Sequence, residues 1–180
     1  MNKVFGIGMF KTGTKSLGAA LQILGYHGTY RPWFVLKDKQ GKGDNWYRNP
    51  ELWLKYYAAI KARADQYNAF SDAPWIFLYK QLDKWYPGSK FILTLRKDVE
   101  TQARSDLNQW RNKKVKPSLK QFINRYNKHN NMVLDYFKGK NNLLTMCFEE
   151  GDDWFRLCKF LNKSIPKVKF PHANKGRYKK

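Results

Sequence analysis

The chain has 180 residues, and its 35 lysine and arginine residues against 14 acidic residues leave a formal net charge of +21 at pH 7. This length fits one domain of about 100–200 residues, so we predict a single domain spanning residues 1–180. A content of 42% hydrophobic and 17% aromatic residues excludes disorder along the whole chain. The positive charge favours polyanionic partners, which include nucleic acid, an anionic membrane, a charged nucleotide and an anionic glycan.

The two cysteines, Cys147 and Cys158, are too few for a disulfide framework, and their spacing matches no zinc pattern. We predict both in the hydrophobic core. Residues 1–9 carry an apolar run that is too short for a transmembrane segment and lacks a small-residue cleavage site. We therefore expect a reducing, cytoplasmic location and no transmembrane segment.

The first part of the chain predicts a strand, a loop and a helix. Residues 3–9 (KVFGIGM) are mostly apolar, as in a strand buried on both faces of a parallel sheet. From Ser16 onward apolar residues fall at helical offsets, and Gly25 stands where a helix would end. Residues 37–49 are predicted as an exposed loop, followed by a helix over residues 51–67 that Pro50 can start.

The middle of the chain repeats the strand and helix order. A short strand at residues 69–71 leads to Asp72, and one helix is predicted from Pro74 to the Pro87-Gly88 turn. Residues 90–95 (KFILTL) form the clearest strand pattern, and Asp98 can cap a helix that runs towards Arg111.

The last part predicts a long helix, a strand, a short helix and a tail. The long helix follows a basic connection at residues 112–117 and carries an apolar stripe between Leu119 and Phe137. Residues 143–148 form a buried strand pattern, and either Asp152 or Asp153 caps a helix through Phe160. Residues 162–180 are predicted as a basic C-terminal tail.

Alternating strands and helices with short links predict an α/β fold, a three-layer sandwich with a central, mostly parallel sheet and helices on both faces. Ligands of such sheets bind beyond the carboxyl ends of the strands. The first such end, residues 8–16 (GMFKTGTKS), resembles the phosphate-binding loop GxxxxGK[ST]. The register differs by one position, since Thr14 stands at the usual lysine and Lys15 at the usual serine or threonine. The alternative is a glycine-rich turn that binds no ligand.

Several ordered blocks of the sequence resemble one compact branch of the sulfotransferases that use 3′-phosphoadenosine 5′-phosphosulfate (PAPS). The blocks span nearly the whole chain: KTGT at 11–14, SDAP at 71–74, YPGSKFILTLR at 86–96, RYNKHNNMVLDYF at 125–137, WFRLCKFL at 154–161 and FPHAN at 170–174. The resemblance implies a P-loop-type fold, PAPS as cosubstrate and adenosine 3′,5′-bisphosphate as product. No metal is expected, because a sulfonate carries less charge than a terminal phosphate and no acidic cluster is evident.

The resemblance also implies roles for individual residues. Lys11 is expected to face the bridging oxygen and the sulfonate, while the 5′-phosphate is held by the residues that follow it, Thr12, Gly13, Thr14, Lys15 and Ser16. Arg96 is expected to bind the 3′-phosphate with a partner on the next helix. That partner is Ser105, nine positions on, or Arg104 at the commoner spacing of eight. Lys175 lies in the terminal block with His172, which we expect to fold back over the cosubstrate.

Asp72 and His129 are candidates for contact with the acceptor. Asp72 is interpreted either as the general base, or group that orients the acceptor, or as a helix cap. His129 lies near the apolar stripe of the long helix, where a structural role is the simpler interpretation and acceptor binding the other. Trp33 belongs to a predicted lid, residues 28–50, that also offers Trp46 and Tyr47 for stacking.

We therefore expect a sulfotransferase that moves a sulfonate from PAPS to a hydroxyl or amine of an acceptor, which the sequence leaves open among small molecules, glycans and lipids. One alternative is a P-loop kinase or other nucleotide-binding enzyme that uses ATP, against which the missing GK[ST] register counts. Another is a basic protein that binds polyanions or nucleic acid without catalysis, although no nucleic-acid-binding motif supports it.

Overall fold

A computed structural model describes residues 2–29, 50–108, 110 and 117–173. The strands in chain order are β1 (Val4–Gly6), β2 (Gly28–Thr29), β3 (Ala69–Ser71), β4 (Lys90–Thr94) and β5 (Leu143–Met146). The helices are α1 (Thr14–Ile23), α2 (Pro50–Asp65), α3 (Tyr79–Trp85), α4 (Val99–Asn108), α5 (Leu119–Phe137) and α6 (Trp154–Leu161). Within the described ranges, two 3₁₀ turns, Trp75–Phe77 and Phe148–Glu150, lie before α3 and after β5.

The five strands form one sheet in the order β2-β3-β1-β4-β5, and every neighbouring pair is parallel. Gly6 at the end of β1 stands opposite Ser71 of β3 and Ile92 of β4. Because parallel strands end at the same edge, the residues that follow β1, β3, β4 and β5 gather there. The expected parallel α/β fold is confirmed.

Consecutive residues of the central strands point to opposite faces of the sheet, and each face is covered by helices. On one face the rings of Phe5 and Phe70 stack at 4.7 Å, and α2, α3 and α5 pack over them. On the other face Val4 and Ile92 pack against α1 and α6. These two apolar layers complete the predicted three-layer sandwich.

The helix ends follow side-chain capping rules. Asp98 accepts hydrogen bonds from the backbone N–H groups of Glu100 and Thr101, as predicted. Of the two candidates before α6, Asp153 is the cap, since it accepts from the Phe155 N–H. Asp152 instead accepts from the Cys147 N–H and pairs with Arg156.

Several elements differ from the sequence prediction. Strand β1 ends at Gly6 and strand β5 at Met146, before the predicted ends at residues 9 and 148. The helix predicted from Pro74 is divided at Leu78, because Ile76 packs with Met9 in a small separate cluster whereas Trp75 and Leu78 pack into the main core. Strand β2 was not predicted, since its two residues are too few for a recognisable pattern. Helix α4 extends to Asn108, and Arg111 lies outside the described residues.

Both cysteines are buried, which confirms their assignment to the core, and burial raises the pKa of each thiol. The predicted loop at 37–49, most of the connection at 112–117 and residues 174–180 of the predicted tail lie outside the described residues. Across the ranges that are described, no helix has the length and apolar character needed to cross a membrane.

Helices α4 and α5 are joined by an ion pair between Asp106 and Arg125, in which Asp106 is only 2% exposed. We predict that Asp106→Ala lowers the free energy of unfolding by about 2–3 kcal/mol, because it removes a charged partner of a partly buried guanidinium. Urea denaturation measures the change. The control is Glu100→Ala on the same helix, which breaks an exposed pair with Arg104 and should cost about 0.5 kcal/mol. Equal losses in the two variants would contradict the structural role of Asp106.

Candidate active site

The loop between β1 and α1 is fixed against the end of β4. A Cβ atom on Gly8 would lie 2.0 Å from the Thr94 Oγ1 atom and 2.5 Å from the Thr94 carbonyl oxygen, so only glycine fits. The Thr12 hydroxyl is within 2.6 Å of both the Met9 carbonyl oxygen and Thr94 Oγ1. Thr12 is thus turned into the protein, and its side chain holds the shape of the loop.

The loop presents backbone N–H groups at the start of α1. Gly13, with a φ of 94°, precedes the helix, and no side chain caps it. Lys11 also has a left-handed backbone, with a φ of 68°, and its side chain is half-buried, as is that of Lys15. Uncapped N–H groups, the positive end of the helix dipole and two lysines together favour an anion at this point.

The C-terminal part of the chain forms one wall of the loop. The Phe148 ring lies against Gly13, where an added Cβ atom would come within 2.6 Å of it, and stacks on Phe170 at a centroid distance of 5.2 Å. The backbone N–H of Ala173 donates a hydrogen bond of 3.1 Å to Ser16 Oγ. The terminal block therefore reaches the start of α1. His172 is exposed, and Lys175 lies outside the described residues.

Arg96 follows β4 at the same edge of the sheet. One of its terminal nitrogens lies 3.0 Å from a carboxylate oxygen of Glu149, and the other Glu149 oxygen accepts a bond of 3.0 Å from the Lys97 N–H. Within the part of the chain that the structure describes, the buried Arg96 Nε has no hydrogen-bond partner. On the next helix Ser105 is half-buried, whereas Arg104 is exposed and pairs with Glu100.

Asp72 follows β3 directly, next to the end of β1. Its backbone is left-handed, with a φ of 75°, and its side chain is half-buried and accepts a hydrogen bond of 2.9 Å from the Ala73 N–H. The 3₁₀ turn Trp75–Phe77 begins at Pro74 without a side-chain cap.

His129 is buried on α5, and its Nε2 donates a hydrogen bond of 2.8 Å to the carbonyl oxygen of Ile7, just before the loop. Burial lowers the pKa of the imidazole, the bond to Ile7 opposes this, and the nearby Arg125 charge adds to the lowering. His129 is therefore a satisfied, neutral histidine that ties α5 to the loop. It also lines a groove between α3 and α5.

Sequence reasoning missed Glu149, Thr94 and the groove. Glu149 belongs to a pair of acidic residues just after β5, so its position at the functional edge was the available signal. The groove brings together residues from α2, α3 and α5, which only the tertiary structure shows. The predicted acceptor contact Trp33, with Trp46 and Tyr47, lies outside the described residues. Where the structure describes the chain, no group of three or more His, Cys, Asp or Glu side chains could hold a metal ion.

Comparisons with known proteins identify the family and the fold of the chain. A protein-family profile described as a sulfotransferase domain matches residues 3–122 and 103–178. A solved structure, deoxyadenosine kinase from M. mycoides with bound dCTP, superposes with a TM-score of 0.54 at 12% identity, covering 89% of this chain and 97% of that chain. At this identity the likeness concerns the fold alone. A search of curated protein sequences gives no significant match.

The buried His129 predicts a specific pH dependence of stability. Because the folded pKa is lowered, the unfolded chain takes up this proton at higher pH than the folded chain does. Stability should therefore fall as the pH drops below the ordinary histidine pKa of about 6.5, until the lowered folded pKa is passed. His129→Gln keeps an N–H donor for Ile7 but cannot titrate, so its unfolding free energy should vary less between about pH 8 and about pH 5.

Urea denaturation at a series of pH values measures this difference, with His27→Gln at an exposed position as the control. A His129→Gln profile parallel to that of the wild type would show that His129 is not buried in its neutral form.

Proposed function

The chain belongs to the sulfotransferase domain family, and we propose that it transfers a sulfonate from PAPS to a hydroxyl or amine of an acceptor. The observation that carries the proposal is the pairing of two cationic positions at one sheet edge. The uncapped start of α1 with Lys11 and Lys15 is the first, and Arg96 at the end of the adjacent strand is the second. Two anionic groups of one nucleotide match two such positions.

The residues present fit this nucleotide. The glycines at 8 and 13 keep side chains out of the loop, so backbone N–H groups can approach the 5′-phosphate, and Lys15 adds positive charge. The hydroxyl of Thr12 is used within the loop, so we assign its backbone N–H, with those of Gly13 and Thr14, to phosphate binding. Ser16 Oγ accepts from Ala173 and keeps its own hydrogen for donation.

Arg96 is assigned to the 3′-phosphate. Its buried Nε without a partner among the described residues is a donor that a phosphate oxygen can satisfy. The half-buried Ser105 is the better second contact, because Arg104 is turned to solvent and paired with Glu100. Lys175, which lies outside the described residues, is assigned to the same nucleotide on the resemblance alone.

When bound, PAPS supplies the sulfonate, in which sulfur is bonded to the bridging oxygen of the 5′-phosphate. Asp72 accepts the proton that the acceptor oxygen or nitrogen gives up as it forms its bond to sulfur. Lys11 and the N-terminus of α1 stabilise the negative charge on the bridging oxygen, which keeps the electron pair as its bond to sulfur breaks. Electrostatic stabilisation and positioning carry such transfers, with little covalent work by the protein.

Asp72→Asn tests the general base. Asparagine tolerates the left-handed backbone and can keep the bond from the Ala73 N–H, so the fold should be unchanged. We predict that turnover falls by about 10²-fold or more, the usual scale for losing a general base. Melting temperature and affinity for adenosine 3′,5′-bisphosphate should stay as in the wild type. The exposed Asp135→Asn is the matched control. If the folded Asp72→Asn variant kept near-normal turnover, Asp72 would not be the general base.

The Arg96 assignment predicts opposite effects for two variants. Arg96→Ala should weaken binding of adenosine 3′,5′-bisphosphate about tenfold or more, because a charge-assisted contact is lost. Glu149→Gln should strengthen it, because the carboxylate no longer competes for the guanidinium. Isothermal titration calorimetry measures both, and Arg104→Ala should change little. If affinity for adenosine 5′-monophosphate fell equally in Arg96→Ala, Arg96 would not bind the 3′-phosphate.

A further inference from the structure

A groove of about 440 Å³ lies between α3 and α5, beside the middle of α2. This size is typical of pockets for small ligands, which span about 300–1,000 Å³. Its apolar walls come from aromatic rings and one methionine: Tyr57, Phe77, Tyr79 and Met132. Met132 is 45% exposed, so a flexible apolar side chain stands at the rim.

The polar part of the lining carries one sign of charge. Lys80, Lys84, Arg125 and Lys128 line the groove, and none of the described residues that line it is acidic. Asp83 of α3 bonds Lys140, and Asp106 of α4 pairs with Arg125 of the lining, so the net positive charge of the lining comes from its lysines. The three lysines are exposed. An anionic group entering the groove therefore meets cations on both helices.

The groove reaches the loop at its inner end. His129, which lines it, is bonded to the carbonyl oxygen of Ile7, one residue before Gly8. Phe77, which also lines it, packs in the cluster that contains Met9 and Phe10 of the loop. A molecule in the groove thus lies next to the segment to which the reacting end of the nucleotide is assigned.

One polar group of the groove is unsatisfied. The Tyr79 hydroxyl is buried and, among the residues that the structure describes, has no hydrogen-bond partner. Buried polar atoms are usually hydrogen-bonded, so the Tyr79 hydroxyl is a donor that a polar atom of a ligand can satisfy.

We propose that this groove binds the acceptor and that the acceptor is an anion with a ring. The aromatic walls stack on the ring, the lysines bind a carboxylate or sulfate group, and the Tyr79 hydroxyl bonds a polar atom of the ring. An acidic oligosaccharide and a small aromatic carboxylate share this chemistry. That the bound anion is an acceptor rests on the proposed sulfonate transfer. The groove itself is tested by binding measurements, which do not depend on that activity.

Calorimetry on the full chain uses three probes: a hyaluronan tetrasaccharide, 6-hydroxy-2-naphthoate, whose ring hydroxyl can bond Tyr79, and the neutral maltotetraose. We expect one of the two anions to bind at least about tenfold more tightly than maltotetraose. The anion that binds shows whether the acceptor is an acidic oligosaccharide or a small aromatic carboxylate. The double variant Lys84→Glu/Lys128→Glu should weaken that binding about tenfold or more. The matched control Lys159→Glu/Lys167→Glu has the same net charge change and alters exposed lysines on and after α6, on the other face of the sheet.

Tyr79→Phe supplies a second test that does not change charge. Since the hydroxyl has no partner among the described residues, its removal should leave the melting temperature unchanged or higher, while affinity for the bound probe falls several-fold, by about a factor of five. The proposal is overturned if neither anion binds. It is also overturned if the two double variants weaken binding equally, or if Tyr79→Phe leaves the affinity for the probe unchanged.

Binding of adenosine 3′,5′-bisphosphate is measured in the same samples and should be unchanged in the groove variants. If the wild type did not bind adenosine 3′,5′-bisphosphate, the proposed function would be contradicted. The binding measurements on the groove would still stand.

Discussion

The contact between the loop after β1 and the end of β4 is the constraint on which the site depends. Gly8 lies so close to Thr94 that no side chain fits between them, and the hydroxyls of Thr12 and Thr94 are 2.6 Å apart. This contact sets the path of the loop and the point at which α1 begins. The direction of the helix N-terminus, and with it the position where an anion is favoured, follows from that path.

The parallel sheet then brings the remaining groups to the same edge. Asp72 follows β3, Arg96 follows β4 and Glu149 follows β5, so three strands of the sheet place a charged side chain at this edge. Glu149 pairs with the Arg96 guanidinium and also accepts a hydrogen bond from the Lys97 backbone N–H, so it fixes the turn after β4. On the helix-covered face below, His129 and Phe77 connect this edge to the cationic groove.

Much of this arrangement could be predicted from the sequence, because strands, helix caps and the glycine loop each follow from residues close together in the chain. Buried strand patterns and capping residues such as Asp98 mark the elements, and glycine spacing marks the loop. The inward turn of Thr12 depends on Thr94, which is 82 positions away along the chain, so no local pattern contains it. The Arg96–Glu149 pair and the groove are likewise products of tertiary contacts.

The central claim, that this site binds a 3′-phosphorylated nucleotide for sulfonate transfer, is tested most directly by a thermal-shift comparison. The panel contains adenosine 3′,5′-bisphosphate, PAPS, ATP with magnesium, and a short oligonucleotide. A ligand at about 100 times its Kd adds about 2.7 kcal/mol to stability, so specific binding gives a clear rise in Tm. The account predicts this rise with the bisphosphate and with PAPS, and a smaller one with ATP. A rise with ATP and magnesium or with the oligonucleotide, and none with the bisphosphate, would contradict it.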